Sequence, residues 1–272
     1  MKALFWSPIH GQAGTTGSLL AVSLLTGMYY RKKAVLTQTQ FNYNNLEAPF
    51  LGANSYDRDS KEFFREIGID AAIRSFKAEK LDKSTLDNCC VALDNTNIVL
   101  LPGTSRTIRE SFDYEMEAVV PSLTRAIEEV YGIVFADISS GKNTLSIRLM
   151  QEADIIVVNL SQNMGITDEY FKQYADIHSG KVFYLFGRYD RNSKYNISNI
   201  RGKYHKHITH TNSGVIPYNT NFMDAQVDGK VVDFIRNNIL CPKKDENYYF
   251  MEKAKSAAGK ILRAAGVNTE RA

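Results

Sequence analysis

The sequence predicts an α/β fold: a doubly wound, mostly parallel sheet with helices on both faces. Three observations carry this. Apolar runs of roughly four to eight residues recur along the chain, the kind that fill strands buried on both sides. Helix-period segments alternate with them. The first apolar run ends in a glycine-bearing loop that leads straight into a helix, which opens a βαβ unit.

The elements follow in order. Residues 3–9, "ALFWSPI", read as a buried strand. Apolar residues at 19, 20, 22, 24, 25, 28 and 29 make a mostly buried helix. Residues 33–39, "KAVLTQT", are the second strand. Residues 54–92 are charged and helical in pattern. Residues 96–105, "TNIVLLPGTS", form a strand ending at Pro-Gly. Residues 111–130 are helical, with Pro121 at a helix start or a kink. Strands are then expected over 131–141, 153–163, 181–190 and 214–220. A helix near 167–178, one at 229–238 and a last one over about 246–265 complete the pattern.

With 272 residues, 44% apolar and 23% charged, the chain can bury a sizeable core. One domain over 1–240 is the simplest reading, followed by a helical extension over 241–272 that packs on it or on a partner. That last helix carries an apolar stripe made largely of alanine, a poor lipid anchor. A net charge of +3 with no dominating Lys/Arg block argues against DNA as a partner. Three cysteines, 89, 90 and 241, have no disulfide or metal spacing. Cys89 and Cys90 are expected on two sides of one helix. No cleavage-site pattern follows the N-terminal run, and no stretch reaches the ~18 apolar residues of a membrane span. The expectation is a cytoplasmic protein.

The loop is His10-Gly11-Gln12-Ala13-Gly14-Thr15-Thr16-Gly17. Glycines let a backbone come close to phosphate oxygens, and the following helix adds the positive end of its dipole. On its own, the loop also fits a glycine-rich turn with a threonine N-cap. The loop resembles the deviant P-loop of the MinD/ParA family, K-G-G-x-G-K-T. Gly11, Gly14 and Thr16 match. His10 stands at the family's extra lysine, Gln12 at a glycine and Thr15 at the P-loop lysine.

Further stretches resemble the same family in the same order. In "LTQTQFNYNNLE" (36–47), Asn45 and Leu46 match D-x-D-x-x-x-x-N-L-D and Glu47 is acidic, while Gln38 and Gln40 replace the two aspartates. "IVFADISSG" resembles the strand ending D-x-P-x-G, with Asp137 and Gly141 matching and Ser139 in place of proline. "FGRYD" resembles the N-R-y strand, with Gly187 for asparagine and Arg188 kept, and "VIPYN" resembles the i-P-y/e segment beside the purine. Within the family the likeness is greatest to the atypical TadZ/CpaE-like branch, although the receiver-like domain common there is missing.

The resemblance implies a P-loop NTPase fold that binds ATP with Mg²⁺. Gly11, Gln12, Ala13, Gly14, Thr15, Thr16 and Gly17 would cradle phosphates. Arg188 would approach the base or the phosphates and Pro217 would lie at the base, although Arg188 also fits a strand-end surface residue. Thr16 and Asp137 would hold the metal. Loss of the loop lysine costs ~1.5–3 kcal/mol of binding, and loss of one positioned cation ~10³–10⁵ in phosphoryl-transfer rate. Gln38 and Gln40 carry no charge but can orient a water.

The implied function is a nucleotide-binding protein with weak or no ATPase activity. It would be a homodimer serving as a localisation or assembly scaffold for an envelope machine such as a Flp-type pilus or secretion apparatus. Protein partners would recruit it to the inner face of the membrane or to a cell pole. The competing reading is an active ParA-type partition ATPase cycling on DNA or cargo. His205, His207 and His210 invite a zinc reading, but no cysteine or carboxylate nearby completes a set.

Overall fold

The computed structural model describes residues 1–41, 46–52, 66–106, 108–177 and 180–270. The first half holds β1 (Lys2–Trp6), α1 (Thr15–Met28), β2 (Ala34–Gln38), α2 (Ala48–Leu51), α3 (Gly68–Lys77), α4 (Lys83–Cys89), β3 (Val91–Leu93), β4 (Ile98–Leu100) and α5 (Arg109–Tyr131). The second half holds β5 (Val134–Asp137), α6 (Thr144–Gln151), β6 (Ile155–Leu160), α7 (Met164–Gln173), β7 (Val182–Tyr189), α8 (Ile197–Lys203), β8 (Ser213–Pro217), α9 (Thr220–Val227), α10 (Val231–Asn238) and α11 (Tyr248–Ala264).

These strands form one sheet in the order β3-β4-β2-β5-β1-β6-β7-β8, parallel except for β3 against β4. Every residue of β1, β2, β5 and β6 is buried, as expected for strands covered on both faces. Side-chain alternation along β1 divides the core in two. Leu4 and Trp6 face a layer built with α3, α5, α6 and α7. Ala3 and Phe5 face a layer built with α1, α10 and α11. α1 is apolar on all sides and buried from Ser18 to Gly27, because it lies between the sheet and α11.

Several elements differ from the sequence expectation. The described part of 54–92 is not one helical run. Asp82 caps a separate α4, accepting from the Thr85 N–H at 2.7 Å, and the run ends in the antiparallel edge strand β3. Cys89 closes α4 while Cys90 is already extended, so the two cysteines do not share a helix. Residues 96–105 supply only three strand residues. The rest is loop, held by buried Asp70, which accepts from Thr104 Oγ1, the Ser105 N–H and Arg106 Nε at 3.0–3.1 Å. Pro121 lies inside α5 rather than at its start. The helix expected at 229–238 is α10; α8 and α9 were not foreseen. Asn196 and Asn219 cap α8 and α9.

The C-terminal helix is part of the core. Phe250, Met251, Ala254, Ala257, Ala258, Gly259, Ile261 and Leu262 are buried, against α1 and β8. Small residues allow that approach: a Cβ on Gly259 would stand 2.3 Å from the Tyr30 hydroxyl oxygen. Ile261→Ala should therefore cost ~2–5 kcal/mol, the range for emptying a closed core site. Urea unfolding should shift as a single transition. A separate early transition for the helix would contradict its place in the core.

Candidate functional site

The loop leaves β1 at the carboxyl edge of the sheet, where ligands of open α/β sheets bind. Its first residues are tied to the β5 exit: Gly141 N–H donates to Ser7 O at 3.1 Å, and Trp6 Nε1 donates to Gly141 O at 3.1 Å. Gly11 and Gly14 adopt φ of 76° and 63°, left-handed values that favour glycine. Gly14 is itself the N-cap of α1, and no side chain caps the helix. The threonine N-cap reading is thus excluded, since Thr15 and Thr16 lie inside the first turn. Among the described residues, no group accepts from the main-chain N–H groups of residues 10–17. A helix start with open N–H groups and no acidic cap attracts an anion.

Asp137 ends β5, in register with Phe5 of β1 and Gln38 of β2. It is 1% exposed. Thr16 Oγ1 donates to its Oδ2 at 2.6 Å, and Gln40 Nε2 donates to its Oδ1 at 2.6 Å. Burial pushes this carboxyl up to about 6, while the two hydrogen bonds pull it back. It is therefore mostly ionised at neutral pH, and Thr16 meets it directly. Their oxygens suit Mg²⁺, which takes one or two protein oxygens and leaves the rest of its shell to phosphate and water.

Gln38 and Gln40 have different surroundings. Gln40 is committed to Asp137. Gln38 is buried, and its Nε2 stands 2.4 Å from where a Cβ would be at Gly103. Gly103 N–H donates to Glu47 Oε1. Burial raises the Glu47 carboxyl, and its Oε2 has no partner among the described residues. Leu46 is fully buried beside it. Asn45 lies outside the described residues.

On the other side, β7 presses against the loop. A Cβ on Gly187 would lie 2.1 Å from the Ala13 carbonyl oxygen, backbone that cannot swing aside. Glycine in place of the family's asparagine is what lets strand and loop touch. The next residue, Arg188, has φ 47° at an irregularity in the β7–β8 register. That conformation costs a bulky residue ~1–3 kcal/mol and persists where the surroundings impose it. Its side chain is exposed and runs over Gly14, with Cγ 3.1 Å from where a Cβ would stand there.

Arg188 and Gly14 border a cleft of about 50 Å³ with Gly17, Ser18, Pro217 and Gln226. The residues anticipated from sequence thus fall into two groups. Gly14, Gly17, Arg188 and Pro217 share the cleft, while Gly11, Gln12 and Ala13 form the adjoining loop and Thr15 and Thr16 the first turn of α1. Gly187, Ser18 and Gln226 were not anticipated.

The histidines go elsewhere. His207 stacks on Phe171 at 4.7 Å, and His210 Nδ1 lies 2.9 Å from Arg201 Nη1. Among the described residues no group of three His, Cys, Asp or Glu is placed to hold a metal.

Two measurements probe this geometry. The fold holds the Asp137 proton at about 6 against an ordinary 3.8, a gap worth about 3 kcal/mol. That stability is present below about pH 4 and lost as pH rises through about 6. Between those pH values the wild type should lose stability relative to Asp137→Asn in urea titrations; parallel curves would refute this. Gly187→Ala should displace the loop at a cost of ~1–3 kcal/mol, read as a lower urea midpoint. An unchanged midpoint would mean that the contact with Ala13 gives freely.

No protein-family model and no curated protein sequence matches the chain. Solved structures do. It is similar to a ParA family ATPase from Chlorobium tepidum (14% identity, TM-score 0.69, covering 94% of this chain and 98% of that one). It is similar to the septum site-determining protein MinD complexed with Mg-ADP from Pyrococcus horikoshii (14% identity, TM-score 0.66, 98% of each chain). It is also similar to a MinC:MinD cell division protein complex from Aquifex aeolicus (12% identity, TM-score 0.56, covering 97% and 96%). The doubly wound sheet, the helices on both faces and the loop at the carboxyl edge of β1 together make this the α/β fold of the MinD/ParA-type P-loop NTPases.

Proposed function

We propose that the protein binds ATP with Mg²⁺ at the loop of residues 10–17 and hydrolyses it weakly or not at all. We further propose that it acts as a homodimeric localisation or assembly scaffold of the TadZ/CpaE-like kind, for an envelope machine such as a Flp-type pilus or secretion apparatus. One observation carries the binding half: an uncapped helix start with open N–H groups, beside a preserved Thr16–Asp137 pair. Phosphate oxygens complement those N–H groups. Thr16 would hold the metal directly and Asp137 through water; the metal would neutralise phosphate charge. The MinD of similar fold is complexed with Mg-ADP, and another is found with the protein MinC.

The weak-turnover half rests on charge. No lysine stands at 10 or 15, and no carboxylate at 38 or 40. Gln40 donates to Asp137, and Gln38 is buried with its Nε2 unpartnered among the described residues; neither carries the charge that would activate an attacking water. Of the cations anticipated near the loop, Arg188 remains. Its guanidinium would supply part of the charge a loop lysine gives, but from the cleft side, suited to holding a ligand rather than to following a leaving phosphoryl group. A protein that holds nucleotide without cutting it keeps one conformation, which suits a scaffold.

Isothermal titration with Mg-ATP should give saturable binding, and a phosphate-release assay should show little or no turnover. Arg188→Ala should weaken binding roughly tenfold, the loss of one charge-assisted contact of about 1.5 kcal/mol. An absence of binding at millimolar nucleotide would sink the first half, and rapid turnover the second. A DNA shift that falls steeply with salt would instead favour the partition reading.

A further inference from the structure

The cleft beside the loop has a polar wall that the phosphate chemistry does not use. Gln226 reaches from α9 toward Gly17, and its Oε1 stands 3.3 Å from where a Cβ would be on that glycine. The other end of the amide is tied down: Nε2 donates to Phe222 O at 3.2 Å and lies 3.6 Å from Met223 Sδ. That tie fixes which way the amide faces, because turning it over would set one carbonyl oxygen against another. Among the described residues nothing donates to Oε1. Gly17 keeps the space open, since any side chain there would crowd the amide.

The rest of the wall sharpens the point. Asn219 is spent: its Oδ1 accepts from Phe222 N–H and its Nδ2 donates to Asn247. Ser18 is 1% exposed, lines the same cleft, and its hydroxyl has no partner among the described residues. The cleft thus offers a fixed acceptor on its α9 side. At about 50 Å³ it is far smaller than the roughly 300–1,000 Å³ of a site that engulfs its ligand. It admits the edge of a ring, with the rest of the ligand on the loop and in solvent.

We infer that Gln226 is a specificity-determining residue that selects a 6-aminopurine over a 6-oxopurine. This rests on the nucleotide reading above and deepens it. An exocyclic amino group donates to Oε1. A 6-oxo group sets a second carbonyl oxygen against it, leaving two acceptors without a donor. A single hydrogen bond of this kind is enough for about a tenfold preference.

The test is a titration of the full chain with the Mg²⁺ complexes of adenosine, guanosine and inosine triphosphate. The wild type should bind the adenosine nucleotide about tenfold more tightly than the inosine one. Gln226→Met, close in length but without the carbonyl, should erase that ratio, by weakening the adenosine nucleotide, tightening the inosine one, or both. Gln226→Ser serves as a second variant, and an unchanged urea midpoint shows that the fold is kept. Equal binding by the wild type, or a ratio that survives both substitutions, overturns the assignment while leaving the nucleotide site standing. No binding of any of the three by the wild type overturns the nucleotide reading, and the assignment falls with it.

Discussion

A carboxylate buried at the carboxyl edge of the sheet organises everything around the loop. Burial pushes the Asp137 carboxyl up to about 6, and almost none of it is exposed. Two donors hold it, from two different parts of the chain. Thr16 brings the first turn of α1 to β5, and Gln40 brings the exit of β2 to the same point. Either donor, removed alone, would leave a buried oxygen less well satisfied. The carboxylate thereby fixes the angle at which the helix leaves the loop. The loop's N–H groups follow from that angle.

The contact on the opposite side is steric rather than electrostatic. Gly187 allows β7 to touch the Ala13 carbonyl, and the strand then carries Arg188 across Gly14 in a left-handed conformation. One glycine therefore sets two things: how deep the loop sits, and where a guanidinium stands relative to it. Asparagine at this position would push against main chain. The departure from the family pattern at 187 and the retention of arginine at 188 belong to one local solution.

Most of the sheet was legible because its central strands are covered on both faces, and such strands read as unbroken apolar runs. β3 was lost because three residues are too few to show a period, and because it runs antiparallel on an edge. α9 was lost in "NTNFMDAQV", where burial is confined to Phe222 and Ala225. In the site, the residues that could be named were those whose type carries the chemistry: glycines, Thr16, Asp137, Arg188. Ser18 and Gln226 could not be named, and Gly187 was visible only as a departure from the family's asparagine, because their roles come from distances between segments far apart in the chain. The roles expected of Gln38 and Gln40 also changed. Both amides looked free to hold water; Gln40 bonds to Asp137, while Gln38 is buried against Gly103 with its Nε2 unpartnered among the described residues.

The substitutions around the loop make sense as a set rather than as scattered losses. The family pattern places two lysines against three aspartates near the phosphates. This chain keeps one aspartate, Asp137, and neither lysine at positions 10 and 15. The formal balance is minus one in both cases, so the mean field met by an arriving magnesium nucleotide is little altered. Losing the lysines alone would have left a strongly negative pocket that repels phosphate. Losing the aspartates alone would have stripped the metal of its partners. What changes is the local placement of charge, and ground-state binding and bond cleavage depend on that differently. Binding tolerates a diffuse balance made of N–H groups, a metal and a peripheral arginine. Cleavage needs cations fixed where charge develops. On the function proposed above, paired removal of both signs would weaken turnover far more than affinity, the pattern expected of a site that holds nucleotide rather than consuming it.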